Sequence, residues 1–319
     1  MIEKLYRTVS PILYRIERLD DDKYGYLLIG PMMLILSALA FYPLIRTFWL
    51  SLQSDDLYGS HPIGEFRGID GYVQILSGEM DTVLSDPFIS LSDPFSSALV
   101  VTLLITLISV SIGTLLGLGM ALILNKEFRG RTFARMIVIL PWSIPIVIQG
   151  MMFYLLFQPR LSPFVDIFHT MGLFSANPLT SPRDSTIIVI LIDIWRKVPF
   201  IALIILAGLA SVNQSLYDVA KVAGASKWQQ FRLITLPLIK PVVLIGMIFY
   251  TISSMKVYGV VEASTGCSTV PTLTCLVIDT FQMQRWATAS AIAFLTALII
   301  AGIVMVYLVQ FRNEVDTNE

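Results

Sequence analysis

Asp193, Arg196 and Lys197 lie inside one long apolar run, where an uncompensated charge at the centre of a membrane helix costs at least ~2.5–3.5 kcal/mol. Their i,i+3 and i,i+4 spacings let Asp193 meet either cation on one helical face. The structural reading is an internal ion pair that stabilises a buried helix; the functional reading is that one of these groups lines a solute cavity. Pro199 follows in the same run and is expected to bend it. Other chemistry is poorly supplied. His61 and His169 have no partners at metal-ligand or triad spacing, which argues against a membrane metalloenzyme or a Ser–His hydrolase. A phosphate-cradling loop needs Gly-x-x-x-x-Gly-Lys-Ser/Thr, and no segment fits. If ATP drives this protein, another chain binds it. The chain has two cysteines, Cys267 and Cys275; their separation and outer location permit a disulfide, and the plainer reading is two small residues near the membrane surface.

The elements that must position these groups are membrane helices. Hydrophobic residues make up 55% of the 319 residues and charged ones 14%, too apolar for a wetted soluble domain. The apolar runs are long and continuous, not ten-residue alternations, so an all-α polytopic membrane protein is expected in place of a barrel. Runs fall at roughly 26–50, 97–124, 136–157, 186–210, 241–261 and 287–311, each near the ~20 residues needed to cross the hydrocarbon. Six transmembrane helices are therefore expected. Fourteen Lys and Arg residues fall on one side and only Arg67, Arg160, Arg183 and Arg285 on the other, which places both termini, the 125–135 loop and the 211–240 block in the cytoplasm. The outer loop at about 51–95 is acidic. Ahead of the first run, Ile2, Leu5, Tyr6, Val9, Leu13, Ile16 and Leu19 recur at helical spacing, as in a helix lying in the interface. The organisation expected is an interfacial segment over 1–23, a membrane domain over 24–312 and a cytoplasmic tail over 313–319.

The 211–240 block is too structured for a simple return of the chain. Leu216, Val219, Val222 and Ala223 share one helical face, Gly224-Ala-Ser226 supplies a turn, and Ser226 is placed to cap a second helix through Trp228, Phe231, Leu233 and Ile234 up to Pro237. A short helix, a tight turn and a second helix are expected on the cytoplasmic side.

This block resembles the EAA loop of permease subunits in binding-protein-dependent ABC importers. Asp218, Val219 and Ala220 stand at the Glu-Ala-Ala positions, Gly224 at the glycine and Leu236-Pro237 at the end. Asp218, Val219 and Ala223 depart from the usual Glu, Ala and Asp. Further stretches are similar to the maltose-type carbohydrate permeases: Tyr42-Pro-Leu-Ile-Arg-Thr-Phe-Trp-Leu-Ser51, Phe66-Arg-Gly-Ile-Asp-Gly-Tyr72, Leu140-Pro-Trp-Ser-Ile-Pro145, Phe157-Gln-Pro159 and Trp195-Arg-Lys-Val-Pro-Phe200. The Gly-Gly-Gly-Pro of that group is replaced by Gly266-Cys-Ser-Thr269.

The resemblance implies the type I importer permease fold, in a multi-pass protein of the prokaryotic cytoplasmic membrane that is not itself an enzyme. It implies a second homologous permease, two ATP-binding subunits and an extracytoplasmic solute-binding protein as partners within the lipid bilayer, and no nucleic acid. No cofactor is expected on this chain; ATP and Mg belong to the partner ATPase. Asp218, Ala220, Gly224, Trp228, Phe231, Leu236 and Pro237 would form the ATPase-coupling block, with Trp228 and Phe231 as apolar anchors and Gly224 as hinge. Trp195, Arg196, Phe200, Tyr250 and Ser254 would line the pathway of a sugar or related polyol. A neutral mono- or oligosaccharide is expected, because pairing with Asp193 weakens the cationic signal. The competing class is an ion-coupled secondary transporter, which predicts internal inverted repeats that the sequence does not display.

Overall fold

The computed structural model describes residues 21–56, 63–80, 83–90 and 92–316. The expected interfacial helix over 2–19 and His61 lie outside the described residues. The chain opens with α1 (Asp21–Leu36), a π turn and α2 (Tyr42–Ser51). On the outer side follow a small antiparallel hairpin, β1 (Gln53–Asp55) with β2 (Ile63–Phe66), and α3 (Asp70–Ser77). The membrane body comprises α4 (Ala98–Asn125), α5 (Arg131–Ser143), α6 (Ile146–Leu156), α7 (Pro163–Thr170) and α8 (Pro182–Ala210). After α8 come α9 (Gln214–Val222), α10 (Lys227–Gln230), a second π turn, α11 (Leu236–Met255), α12 (Gly259–Ser264), α13 (Leu273–Gln282) and α14 (Trp286–Asp316). The last helix continues to Asp316, into the segment expected as the tail.

The expectation of six membrane-crossing helices is corrected. Among the described residues, four helices are long and apolar enough: Leu28–Ser51, Ala98–Asn125, Lys227–Met255 and Trp286–Gln310. A fifth counts only if α5 and α6, bent by 89° to one another, are taken as one span. Two physical features defeated the reading of hydropathy runs. Pro145 disfavours helical backbone at the residue before it, and Ile144 is extended (φ −74°, ψ 134°), so the 136–157 run breaks. The 186–210 run does form the long helix α8, but Asp193, Arg196 and Lys197 sit at its middle, so it is not an uninterrupted apolar span.

Helix α8 is the hub of the fold. It is buried along most of its length, packing along α4 and against α11 and α5. Val101, Ile105, Ile188 and Ile192 fill the outer half of this contact, and Val110, Ile201, Ile205 and Ile239 the inner half. Close approach of α4 and α11 depends on Gly113, where a Cβ would run into the Tyr250 ring and hydroxyl. The outer cap is tied down by Asp55, whose carboxylate accepts from Ala287 N (2.8 Å) at the start of α14 and from the Thr288 hydroxyl, satisfying free N–H groups of that helix's first turn. Cys267 and Cys275 form a disulfide that joins the loop after α12 to α13, both half-cystines being buried. The plainer reading of two separate small residues is thereby replaced.

Candidate substrate cavity and coupling block

Both candidate regions gather on α8, α11 and the block between them. On α8, Asp193 is fully buried and its two carboxylate oxygens are divided between partners. Oδ1 takes Lys197 Nζ at 2.7 Å and Oδ2 accepts from Ser254 Oγ of α11 at 2.7 Å. Lys197 Nζ also donates to Ser254 Oγ at 2.7 Å and lies 5.2 Å from the centre of the Tyr250 ring. Arg196, one residue from Lys197 around the helix, reaches Oδ1 only at 3.5 Å. A buried pair of this kind survives when further hydrogen bonds satisfy its groups; here Ser254 bridges Asp193 and Lys197, and Arg196 adds a longer contact at the margin.

Beside this network is a cavity of about 230 Å³ lined by Trp142, Arg196, Lys197, Phe200, Phe249, Tyr250 and Ser253. Trp142 and Phe200 stack with centroids 5.9 Å apart and planes at 17°, the flat arrangement that aromatic pairs favour when offset. Of the residues expected on the pathway, Arg196, Phe200 and Tyr250 line this cavity. Ser254 is buried behind it in the ion network, and its neighbour Ser253 takes the lining position. Trp195 packs against Phe153 instead, at 5.5 Å. The residues that sequence reasoning did not place there are Trp142, Phe249 and Ser253. Trp142 had a signal, since it sits in the Leu-Pro-Trp stretch already singled out; the register of Phe249 and Ser253 on α11 had none. Lys256 caps the end of α11 and is exposed.

The coupling block forms as its residues dictate. Asn213 Oδ1 accepts from Ser215 N (3.0 Å) at the start of α9. Gly224 ends that helix with φ +79°, a left-handed turn that glycine adopts without a Cβ penalty. Ser226 then opens α10 with a reciprocal capping box: its backbone N–H donates to Gln229 Oε1 (2.7 Å) and its hydroxyl accepts from Gln229 N (3.3 Å). The π turn Phe231–Thr235 precedes Pro237, which has no N–H for the regular ladder. Tyr217 Oη and Thr235 Oγ1 are 2.9 Å apart, tying α9 back onto this turn.

The expected coupling residues are brought into one block. Asp218 pairs with Lys221 at 3.0 Å on an exposed face, where such a pair contributes little. Trp228 stacks on Phe231 at 5.6 Å and is itself exposed. Ala220 is half-buried, and Leu236 and Pro237 are exposed at the start of α11. The apolar face of α9 is left uncovered, with Val219 69% and Val222 90% exposed.

Comparison with known proteins gives this geometry its setting. Residues 113–314 match the family described as "Binding-protein-dependent transport system inner membrane component". The chain is 31% identical over 291 residues to a trehalose/maltose transport system permease protein of Thermococcus litoralis, covering 90% of this chain and 93% of that one. It is 32% identical over 248 residues to a sulfoquinovosyl glycerol transport system permease protein of Agrobacterium fabrum, covering 78% and 76%. In fold it is similar to a chain of a bacterial ABC transporter involved in import of the acidic polysaccharide alginate, with TM-score 0.69 at 21% identity over 97% of this chain and 99% of that one. The chain therefore belongs to the family of binding-protein-dependent transport system inner membrane components: it is a multi-pass permease subunit of an ABC importer in the prokaryotic inner membrane, and not an enzyme.

Proposed function

We propose that this chain carries a sugar across the membrane, accepting it from an extracytoplasmic binding protein and moving it when a separate ATPase acts on the coupling block. The chain is a permease of the carbohydrate type, in keeping with relatives named for trehalose, maltose and sulfoquinovosyl glycerol. ATP and Mg²⁺ belong to two ATP-binding subunits. A second, homologous permease completes the pathway and covers part of the apolar surface, including Leu28, Met32, Ile35 and Leu39, whose side chains are exposed on this chain.

The observation that carries this reading is the continuity of the coupling block with the cavity. From Lys227 to Met255 the chain is helical without a break, 29 residues that include Trp228 at one end and Tyr250 and Ser253 at the other. At ~1.5 Å per residue such an element is roughly 40 Å long. Seating the bare α9 face and Trp228 in an ATPase groove therefore transmits a push directly to the cavity wall, and ATP-driven closure shifts the population between inward- and outward-open states. Aromatic faces of Trp142, Phe200 and Tyr250 pack against sugar C–H surfaces while Ser253 and Arg196 address hydroxyls. At about 230 Å³ the cavity in this chain is smaller than the ~300–1,000 Å³ usual for a ligand site, and the partner permease supplies the remaining wall.

Co-purification tests this. The tagged chain should recover an ATPase subunit, and Gly224→Trp with Asp218→Lys should abolish both recovery and sugar uptake. Recovery of no ATPase by the unaltered chain, or uptake indifferent to both substitutions, contradicts the reading.

A further inference from the structure

We infer that Arg196 selects for a carried solute with an anionic substituent, a carboxylate or sulfonate on a sugar, in preference to a neutral sugar. The inference rests on the cavity reading above and refines its substrate class. The charge arithmetic is the starting point: one carboxylate, Asp193, faces two cations, Arg196 and Lys197, leaving a net charge of +1 on the α8 segment that walls the cavity.

Which cation is in excess follows from the distances. Both oxygens of Asp193 are already used at 2.7 Å, one by Lys197 and one by Ser254. Arg196 reaches the carboxylate with one terminal nitrogen at 3.5 Å, and its Nε is buried with no hydrogen-bond partner. A guanidinium presents five N–H donors in a planar fork that matches two oxygens of an anion. Burying one N–H of a charged group without a partner is costly, and an anionic group entering the cavity offsets that cost. A neutral hydroxyl satisfies one donor and leaves the net charge uncompensated. The Trp142–Phe200 stack stands at the same cavity, so a ring can lie on the aromatic side while its acidic group turns to Arg196. The expectation of a neutral solute rested on pairing with Asp193; that one carboxylate balances one of the two cations, and Arg196 holds it by a single contact of 3.5 Å.

The test compares two solutes of nearly equal shape, methyl β-glucuronide and methyl β-glucoside, by equilibrium dialysis of the labelled compounds against the purified permease–ATPase complex without its binding protein. The unaltered complex should hold the glucuronide about 10–100-fold more tightly, the range expected of a hydrogen-bonded charge. Arg196→Gln should erase that preference, glucuronide affinity falling about 10–100-fold further than glucoside affinity, and Arg196→Lys should keep part of it, since the point charge persists without the fork. Equal affinity for the two solutes, binding of neither, or a parallel loss of both in Arg196→Gln overturns the inference. Should Arg196→Gln fail to assemble, the unaltered complex and Arg196→Lys decide. Each of these results leaves the importer reading standing; that reading fails separately, if no ATPase co-purifies.

Discussion

Lys197 Nζ stands 2.7 Å from Asp193 Oδ1 at the middle of α8, with the Asp193 side chain entirely withdrawn from solvent. Removing Lys197 leaves the buried carboxylate only the longer Arg196 contact at 3.5 Å and the Ser254 hydroxyl, a loss of about 3–5 kcal/mol, whereas removing both members of the pair is far milder. Lys197→Met should therefore lower the thermal midpoint of the detergent-solubilised chain strongly, and Asp193→Asn combined with Lys197→Met should restore most of it. A double variant as unstable as the single one would show that the pair does not act as a unit.

Tyr250 occupies the space that a side chain at Gly113 would fill. Since Tyr250 lines the cavity and packs on the Lys197 ammonium, Gly113→Val should force the ring aside, costing about 1–3 kcal/mol of stability through overpacking. The effect on uptake should exceed the effect on the amount of protein in the membrane. Uptake per molecule equal to that of the unaltered chain would place the cavity elsewhere.

On the outer side, burial raises the Asp86 carboxyl above the usual carboxylate range; a hydrogen bond from Ser85 opposes this and the charge of Asp279 adds to it. Asp279 is raised likewise, by burial first and by Glu262 second. A carboxyl with a raised folded-state pKa makes the folded state bind more protons, so stability falls as pH climbs from the unfolded value, near 3.8, through the raised one. Asp86→Asn should thus raise the thermal midpoint at neutral pH, with the gain shrinking toward pH 4. Thermal scans across that range check it; a gain independent of pH contradicts it.

The coupling block was the most legible part of the chain, because its signals are local. Gly224 needed a left-handed turn and Ser226 with Gln229 formed a capping box, and both act within four residues. The membrane helices were less so. Apolar runs report hydrophobicity and not continuity, so the extended Ile144 before Pro145 and the charges of α8 turned six expected spans into four or five.

The cavity was legible by region and not by register. On α11 the sequence did not distinguish Ser254, turned onto Asp193, from Ser253, turned into the cavity, since the choice depends on the rotation of α11 against α8. Trp195 packs instead on Phe153 of α6, a contact set by how α8 faces α6. The Asp55 cap on α14 joins residues more than 230 positions apart, a pairing that no local pattern announces.

If ATP acts on the cavity through the unbroken helix from Lys227 to Met255, the accessibility of residue 253 reads that action directly. Both native cysteines are held in the Cys267–Cys275 disulfide, so Ser253→Cys introduces one free thiol at the cavity wall. In sealed proteoliposomes carrying the full importer, a membrane-impermeant thiol reagent added outside should label that position slowly without nucleotide. In the ATP-trapped state labelling should be at least about tenfold faster, equivalent to ~1.4 kcal/mol of population shift. Equal rates in the two states, in a complex that retains its ATPase, would contradict the account.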